Sequence, residues 1–156
     1  MKKKVPTLLL AALVVTAALL YFLPTKTFDE LMPVPDHVAV TATYWHTDNS
    51  YSIAKWEAGS PQAEEVLREL RSVTYSKSPI YTFTYRLRRV NHYLNGNTGL
   101  LTLELVDEAG SKYLVGVQSG TFSFNPPDGG LSNGWMATDP ELGDNLIELV
   151  IIAPEN

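Results

Sequence analysis

The sequence has 156 residues, of which 45% are hydrophobic and none is cysteine, and its formal net charge is −5. The missing cysteine excludes disulfides, thiolate metal sites, cysteine catalysis and a lipid-modified N-terminal cysteine. Beyond the first three lysines, nine basic residues stand against seventeen acidic ones, a net charge of −8. This part of the chain is therefore a poor candidate for binding nucleic acid, which requires clustered Lys and Arg.

The N-terminal segment has the features of a membrane anchor. Lys2, Lys3 and Lys4 precede 21 residues without charge, from Val5 to Thr25, and about 20 helical residues cross a bilayer. The lysines favour a cytoplasmic N-terminus and place the C-terminal part outside. We predict a single-pass anchor over residues 1–25 that contacts the membrane through residues 5–25.

A cleaved secretory signal peptide is the alternative for the same segment. Signal peptidase requires small residues, and only Thr16 and Ala18 could serve near the outer end of the run. Cleavage there would leave the apolar stretch "LLYFLP" at the new terminus, whereas Tyr21 and Phe22 suit a membrane interface. A buried N-terminal helix is disfavoured because the run is apolar on all faces. The anchor is favoured, and cleavage stays open.

The segment that follows is rich in proline. Three prolines occur within residues 24–36, and proline blocks regular structure and stiffens a chain. We therefore expect residues 26–36 to form a spacer between the membrane and an extracytoplasmic domain over residues 37–156.

Two strands are predicted next. The stretch "VAVTATYW" at residues 38–45 alternates between two faces with the period of a strand. The stretch "HTDNS" has the composition of a turn, and "YSIAKWE" predicts a second strand that pairs with the first as a hairpin.

The clearest helix is predicted at about residues 60–74. Ser60 is a good N-cap residue and Pro61 suits the first helical position. Glu64 and Arg68 are spaced to form an ion pair. Four residues recur at the helical spacing and form an apolar stripe: Ala63, Val66, Leu67 and Leu70.

The second half of the chain predicts mainly strands. Alternating segments between residues 81 and 125 indicate an antiparallel meander, followed by a surface loop, "PPDGGLSNG", and a short strand at "WMATD". Residues 145–152 fit either a helix with Asp144 as N-cap or a buried strand. The order of elements predicts an α+β fold: one antiparallel sheet of five or six strands, the helix packed on one face, and a C-terminal helix if the last segment is helical.

Few residues are placed for chemistry. His37, His46 and His92 lie in no metal-binding motif. His46 and Asp48 bracket a turn, where hydrogen bonds to the local backbone are the commoner explanation. The oxygen side chains at the last segment lack the spacing of a calcium loop; these are Asp139, Glu141, Asp144 and Asn145. We predict no catalytic, cofactor-binding or metal-binding residue.

One basic cluster is a candidate for partner binding. Arg86, Arg88, Arg89 and His92 form a basic strand edge among aromatic residues. This edge could hold an anionic glycan or a carboxylate of a partner. A solvated strand face is the commoner explanation for such a pattern.

The combined pattern resembles a known kind of domain. The segments "VAVTATYW", "SPQAEEVLRELRSV" and "LLTLELVDEAGSKYLVGV", within residues 38–125, are similar to small membrane-anchored or lipoprotein-like extracytoplasmic domains of Gram-positive bacteria. Most of these are domains of unknown function, so the resemblance implies a location and no site residues. The lipobox cysteine of the lipoprotein members is missing here.

We therefore expect a non-catalytic binding or accessory domain of the bacterial cell envelope, whose partner is an envelope protein or a cell-wall ligand. One alternative is a secreted binding protein or protease-inhibitor-like domain, released by cleavage. Another is a weak envelope hydrolase that uses His46, Asp48 or the C-terminal carboxylates. A convergent His/carboxylate pocket would favour the enzyme, and a flat sheet face with exposed aromatic residues would favour the binding protein.

Overall fold

The computed structural model of the chain describes residues 4–22, 24–48, 50–78, 99–118, 120–130 and 132–152. These residues form four helices and eight strands. In chain order the elements are α1 (Lys4–Phe22), β1 (Thr25–Thr27), α2 (Phe28–Leu31), β2 (Val38–Trp45), β3 (Tyr51–Trp56), α3 (Pro61–Ser72), β4 (Thr74–Lys77), β5 (Leu100–Asp107), β6 (Lys112–Gln118), β7 (Thr121–Asn125), β8 (Ser132–Ala137) and α4 (Leu142–Ile152).

The eight described strands form one antiparallel sheet in the order β1-β4-β8-β7-β6-β5-β2-β3. Strands β5 to β8 are a meander, and the β2–β3 hairpin joins it through β5. On the other side β8 pairs with β4, and β4 pairs with β1. Among the described strands, β1 and β3 are therefore the two edges of the sheet.

The expectation of five or six strands is wrong. The described part of the chain has eight strands. Two of them, β1 and β4, were not among the predicted elements and extend the sheet. These strands have three and four residues, too few to show a period of two, and they are defined by backbone pairing with a neighbour. Strand β8 also begins at Ser132, inside the predicted loop. The predicted strand within residues 81–90 lies outside the described residues.

The expected spacer at residues 26–36 is also wrong, because this segment belongs to the fold. Phe28, Met32 and Val34 are buried in the hydrophobic core. Thr27 caps α2 through a capping box: its Oγ1 accepts a hydrogen bond from the Glu30 amide, and the Glu30 carboxylate accepts one from the Thr27 amide at 2.7 Å. The sequence "TFDE" contains the Thr and Glu spacing of a capping box, although the neighbouring prolines favoured the prediction of a spacer.

The core lies on one face of the sheet. Alternate residues of the central strands point to it. Val40 pairs with Leu105 and Leu103 pairs with Val115, and all four side chains are almost completely buried. The buried side chains of α2, α3 and α4 belong to the same cluster. The three helices therefore lie on this face. Burying an aliphatic side chain stabilises a fold by about 1.5–3 kcal/mol.

Helix α3 follows the sequence closely. The Ser60 hydroxyl accepts a hydrogen bond from the Ala63 amide at 3.3 Å, and Pro61 occupies the first turn. All four residues of the predicted apolar stripe are buried. The C-terminal segment, which fitted either a helix or a strand, is the helix α4. It starts at Leu142, so Asp144 lies in its first turn and is not its N-cap.

Helix α1 stands apart from the core. Its described apolar side chains up to Tyr21 are exposed, for example Leu9 at 66% and Leu13 at 62%. Only residues 23 and 24 separate it from β1. No helix in the described part of the chain meets the combined length and hydropathy requirement for crossing a membrane.

Candidate binding site

A groove of about 500 Å³ lies where α3, α4 and the end of β3 meet. We call it the α3–α4 groove. Its volume falls within the range of about 300–1,000 Å³ that is usual for ligand sites. Eight residues line it: Trp56, Gln62, Glu65, Glu69, Asn145, Glu148, Leu149 and Ile152.

The floor of the α3–α4 groove is apolar. Trp56 ends β3 and pairs with Val40, so its ring lies on the core face of the sheet. Leu149 packs against the core and remains partly accessible. Ile152, on the last turn of α4, is 69% exposed. Together these side chains offer an apolar surface that water covers in the free protein.

The rim of the α3–α4 groove is acidic. Glu65 and Glu69 are one helical turn apart on α3, and Glu148 lies across from them on α4. The Arg68 guanidinium lies 2.8 Å from a Glu65 carboxylate oxygen and 3.7 Å from a Glu69 oxygen. The predicted pair of Arg68 with Glu64 is therefore wrong, since Arg68 turns towards the groove side of α3.

Glu148 has no ion-pair partner within the described part of the chain. It is exposed on the surface of α4. Gln62 and Asn145 complete the lining with side-chain amides, which both donate and accept hydrogen bonds. The groove can therefore bind an apolar group on its floor, a cation at its rim and peptide-like groups at its amides.

A second exposed patch lies on the opposite face of the sheet. Trp45 and Tyr51 face each other across the β2–β3 hairpin with their ring centroids 5.2 Å apart. Ile53, on the same face of β3, is also exposed. Thr43, which pairs with Ile53, and Lys55 lie on the same face, so polar side chains border this patch as well.

The structure does not describe the predicted partner-binding residues. Arg86, Arg88, Arg89 and His92 all lie outside the described residues. The basic strand edge therefore stays a prediction.

His46 and Asp48 have separate partners. The His46 Nε2 atom lies 2.8 Å from the Ser52 hydroxyl. Asp48 accepts hydrogen bonds from the Ser50 hydroxyl at 2.6 Å and from the Ser50 amide at 2.9 Å. These bonds lower the pKa of Asp48. Asp48 therefore bonds the backbone of its own turn, as the commoner explanation held, whereas His46 bonds a side chain of β3.

Among the C-terminal carboxylates, Asp139 bonds the turn that precedes α4. The Asp139 carboxylate accepts a hydrogen bond from the Glu141 amide at 2.9 Å, just before α4 begins. Within the described residues, no three His, Cys, Asp or Glu side chains lie close enough together to hold a metal ion.

Sequence reasoning missed the residues of the α3–α4 groove. Trp56 and Glu65 lie on consecutive elements, β3 and α3, but Glu148 comes from α4, far along the chain, and only the packing of α4 brings it to them. No protein-family model, curated protein or solved structure matches the chain. The interpretation of the groove therefore rests on its own geometry and chemistry.

Proposed function

We propose that this chain is a membrane-anchored, extracytoplasmic binding or accessory domain of the bacterial cell envelope, and that it binds a partner without catalysing a reaction. The observation that carries the proposal is the α3–α4 groove. An apolar floor bordered by polar groups that fix orientation is the usual form of a recognition site. The ligand is an envelope protein or a cell-wall component.

The N-terminal helix supports the location. The exposed apolar side chains of α1 find no cover in the rest of the described chain, and the lipid tails of a bilayer would cover them. Because so few residues separate α1 from β1, the folded domain would sit close to the membrane surface. The three lysines at positions 2–4, of which Lys4 begins α1, orient the helix with its N-terminus in the cytoplasm.

The edge of the sheet next to α1 also supports the location. The Lys77 ammonium lies 4.3 Å from the centre of the Trp135 ring, and the Lys26 ammonium lies 6.0 Å from it. Burial and the neighbouring Lys26 lower the pKa of Lys77. Trp135 itself is buried, but Lys26 lies on the exposed edge strand β1, and lysine is common at the level of lipid headgroups, so this edge suits a position near the membrane.

Site-directed photo-crosslinking in the producing cells tests the binding function. A photo-reactive amino acid replaces Gln62 in the groove of the full-length chain, and the matched control carries it at Glu108, in the exposed β5–β6 turn. We expect a defined crosslinked adduct from position 62 and none from position 108. The same adducts from both positions, or none from position 62, would contradict the proposal.

A further inference from the structure

We infer that the α3–α4 groove receives a cationic, amphipathic peptide segment of a partner protein. In this arrangement the apolar side chains of the segment cover Trp56, Leu149 and Ile152, and its Lys or Arg residues reach the acidic rim. The inference rests on the proposed function and names the class of partner.

The shape of the groove fits a segment better than a small compact ligand. Two helices form its walls, and its apolar floor follows the last turns of α4 to the exposed Ile152. An amphipathic helix that lays its apolar face into a groove between two helices is a recurring mode of peptide recognition. The amides of Gln62 and Asn145 can bond the polar groups at the border of such a segment.

The rim already holds a cation from the chain itself. Arg68 is 68% exposed, yet its guanidinium is drawn to both Glu65 and Glu69. This contact shows that the carboxylates of α3 are positioned to hold a planar cation at the border of the groove. Glu148, on the opposite wall, has no such neighbour in the described part of the chain. A Lys or Arg side chain of the partner would form an ion pair with Glu148 on this wall.

Electrostatic complementarity distinguishes among the ligands that could bind in the apolar groove. A second copy of the chain would bring its own carboxylates and a strongly acidic surface, and like charges placed together oppose association. An anionic wall polymer would meet the same repulsion. A cationic segment gains attraction at the rim and contact at the floor, so it is the occupant that both features favour.

The test uses the full chain in nanodiscs of phosphatidylcholine, with empty nanodiscs as a blank. Two designed peptides of about 18 residues, about five helical turns, are titrated against it: one built from Leu and Lys, the other from Leu and Glu with the same spacing. We expect the Leu/Lys peptide to bind at least about tenfold more tightly than the Leu/Glu peptide, and to lose affinity as salt is raised.

Variants locate the binding to the rim. Because Glu148 is exposed, its replacement should leave the fold intact. We expect Glu148→Gln to raise the Kd of the Leu/Lys peptide about threefold and Glu148→Lys about tenfold. The matched control, Glu108→Lys, makes the same change of charge away from the groove and should alter the Kd by less than about twofold.

Equal affinity for the two peptides, or an equal effect of Glu148→Lys and Glu108→Lys, would overturn the inference. So would a concentration-dependent dimer that Glu148→Lys strengthens. These results are separable from failure of the proposed function. An adduct from position 62 that persists while the Leu/Lys peptide fails to bind overturns the class of partner alone, whereas loss of the adduct overturns the binding function itself.

Discussion

Arg71 and Asp29 lie 42 positions apart in the chain and meet through a hydrogen-bonded ion pair, with the Arg71 Nε atom 3.0 Å from an Asp29 carboxylate oxygen. The same guanidinium donates to the Asp36 carboxylate at 2.7 Å and to the Val34 carbonyl at 2.6 Å. Burial alone would lower the pKa of Arg71, but its bonds to the two carboxylates outweigh burial and raise it. One side chain of α3 thus holds both α2 and the segment that follows it against the domain.

Replacing Arg71 with Ala should destabilise the domain by about 1–2 kcal/mol. The change removes the three contacts of the guanidinium. Solvent exposure of the two carboxylates reduces the stabilisation that each ion pair contributes. Urea unfolding in detergent micelles, followed by tryptophan fluorescence, measures the difference. The matched control is Arg68→Ala, which removes an exposed pair within one helix and should cost less than about 0.5 kcal/mol. Equal losses would contradict the role of Arg71.

Phe28 tests whether the proline-rich segment belongs to the fold. Its ring is completely buried and lies 5.9 Å from the Phe124 ring, edge to face. Phe28→Ala should lower the free energy of unfolding by about 3–4 kcal/mol, because it opens a cavity in the core. Phe28→Leu, which keeps most of the volume, should cost less than about 1.5 kcal/mol. A spacer residue would give no loss in either variant.

Stability should fall in acid as two carboxylates that accept backbone hydrogen bonds, Glu30 and Asp107, become protonated. The hydrogen bond from the Thr27 amide lowers the pKa of Glu30 from its ordinary value of 4.5, and the Ser111 amide lowers that of Asp107. A carboxyl group with a lowered pKa in the folded state stabilises the fold above its unfolded pKa, and this contribution is lost as the pH falls through the folded pKa. The urea midpoint should therefore hold from about pH 7 to about pH 5 and drop below the ordinary pKa of Glu30.

The variant Glu30→Gln tests how much of this pH dependence comes from the Glu30 carboxyl group. Glutamine can still fill the third position of a capping box, but it does not titrate. The variant should lose some stability at neutral pH and show a smaller drop in acid than the parent chain. A drop of the same size in both proteins would show that Glu30 contributes nothing to the acid sensitivity.

His46→Ala should leave binding through the groove unchanged. The imidazole bonds the Ser52 hydroxyl and lies edge-on to Tyr44, with ring centroids 4.7 Å apart. Its loss should cost about 1 kcal/mol of stability and leave the adduct from position 62 intact. If the variant keeps its stability but loses a cellular phenotype of the parent chain, the alternative of an envelope hydrolase gains support over the binding function.

The sequence predicts elements best where one segment carries the whole signal. Helix α3 combines a cap, a first-turn proline and a complete apolar stripe, and β2 alternates over eight residues. Short strands such as β1 carry no such pattern, because three residues are too few to show a period of two, and they are defined by pairing with strands far along the chain. The α3–α4 groove could not be predicted for the same reason: Trp56 and Glu148 become neighbours only when α4 returns to the end of β3.

The most direct test of membrane anchoring is the intact mass of the protein in fractions of a bacterial host that produces it. We predict the full-length chain of 17.3 kDa in the membrane fraction, resistant to alkaline extraction and digested by protease added outside the cytoplasmic membrane. A lighter species in the medium that begins near Leu19 would contradict the anchor, and so would a full-length chain recovered outside the membrane fraction.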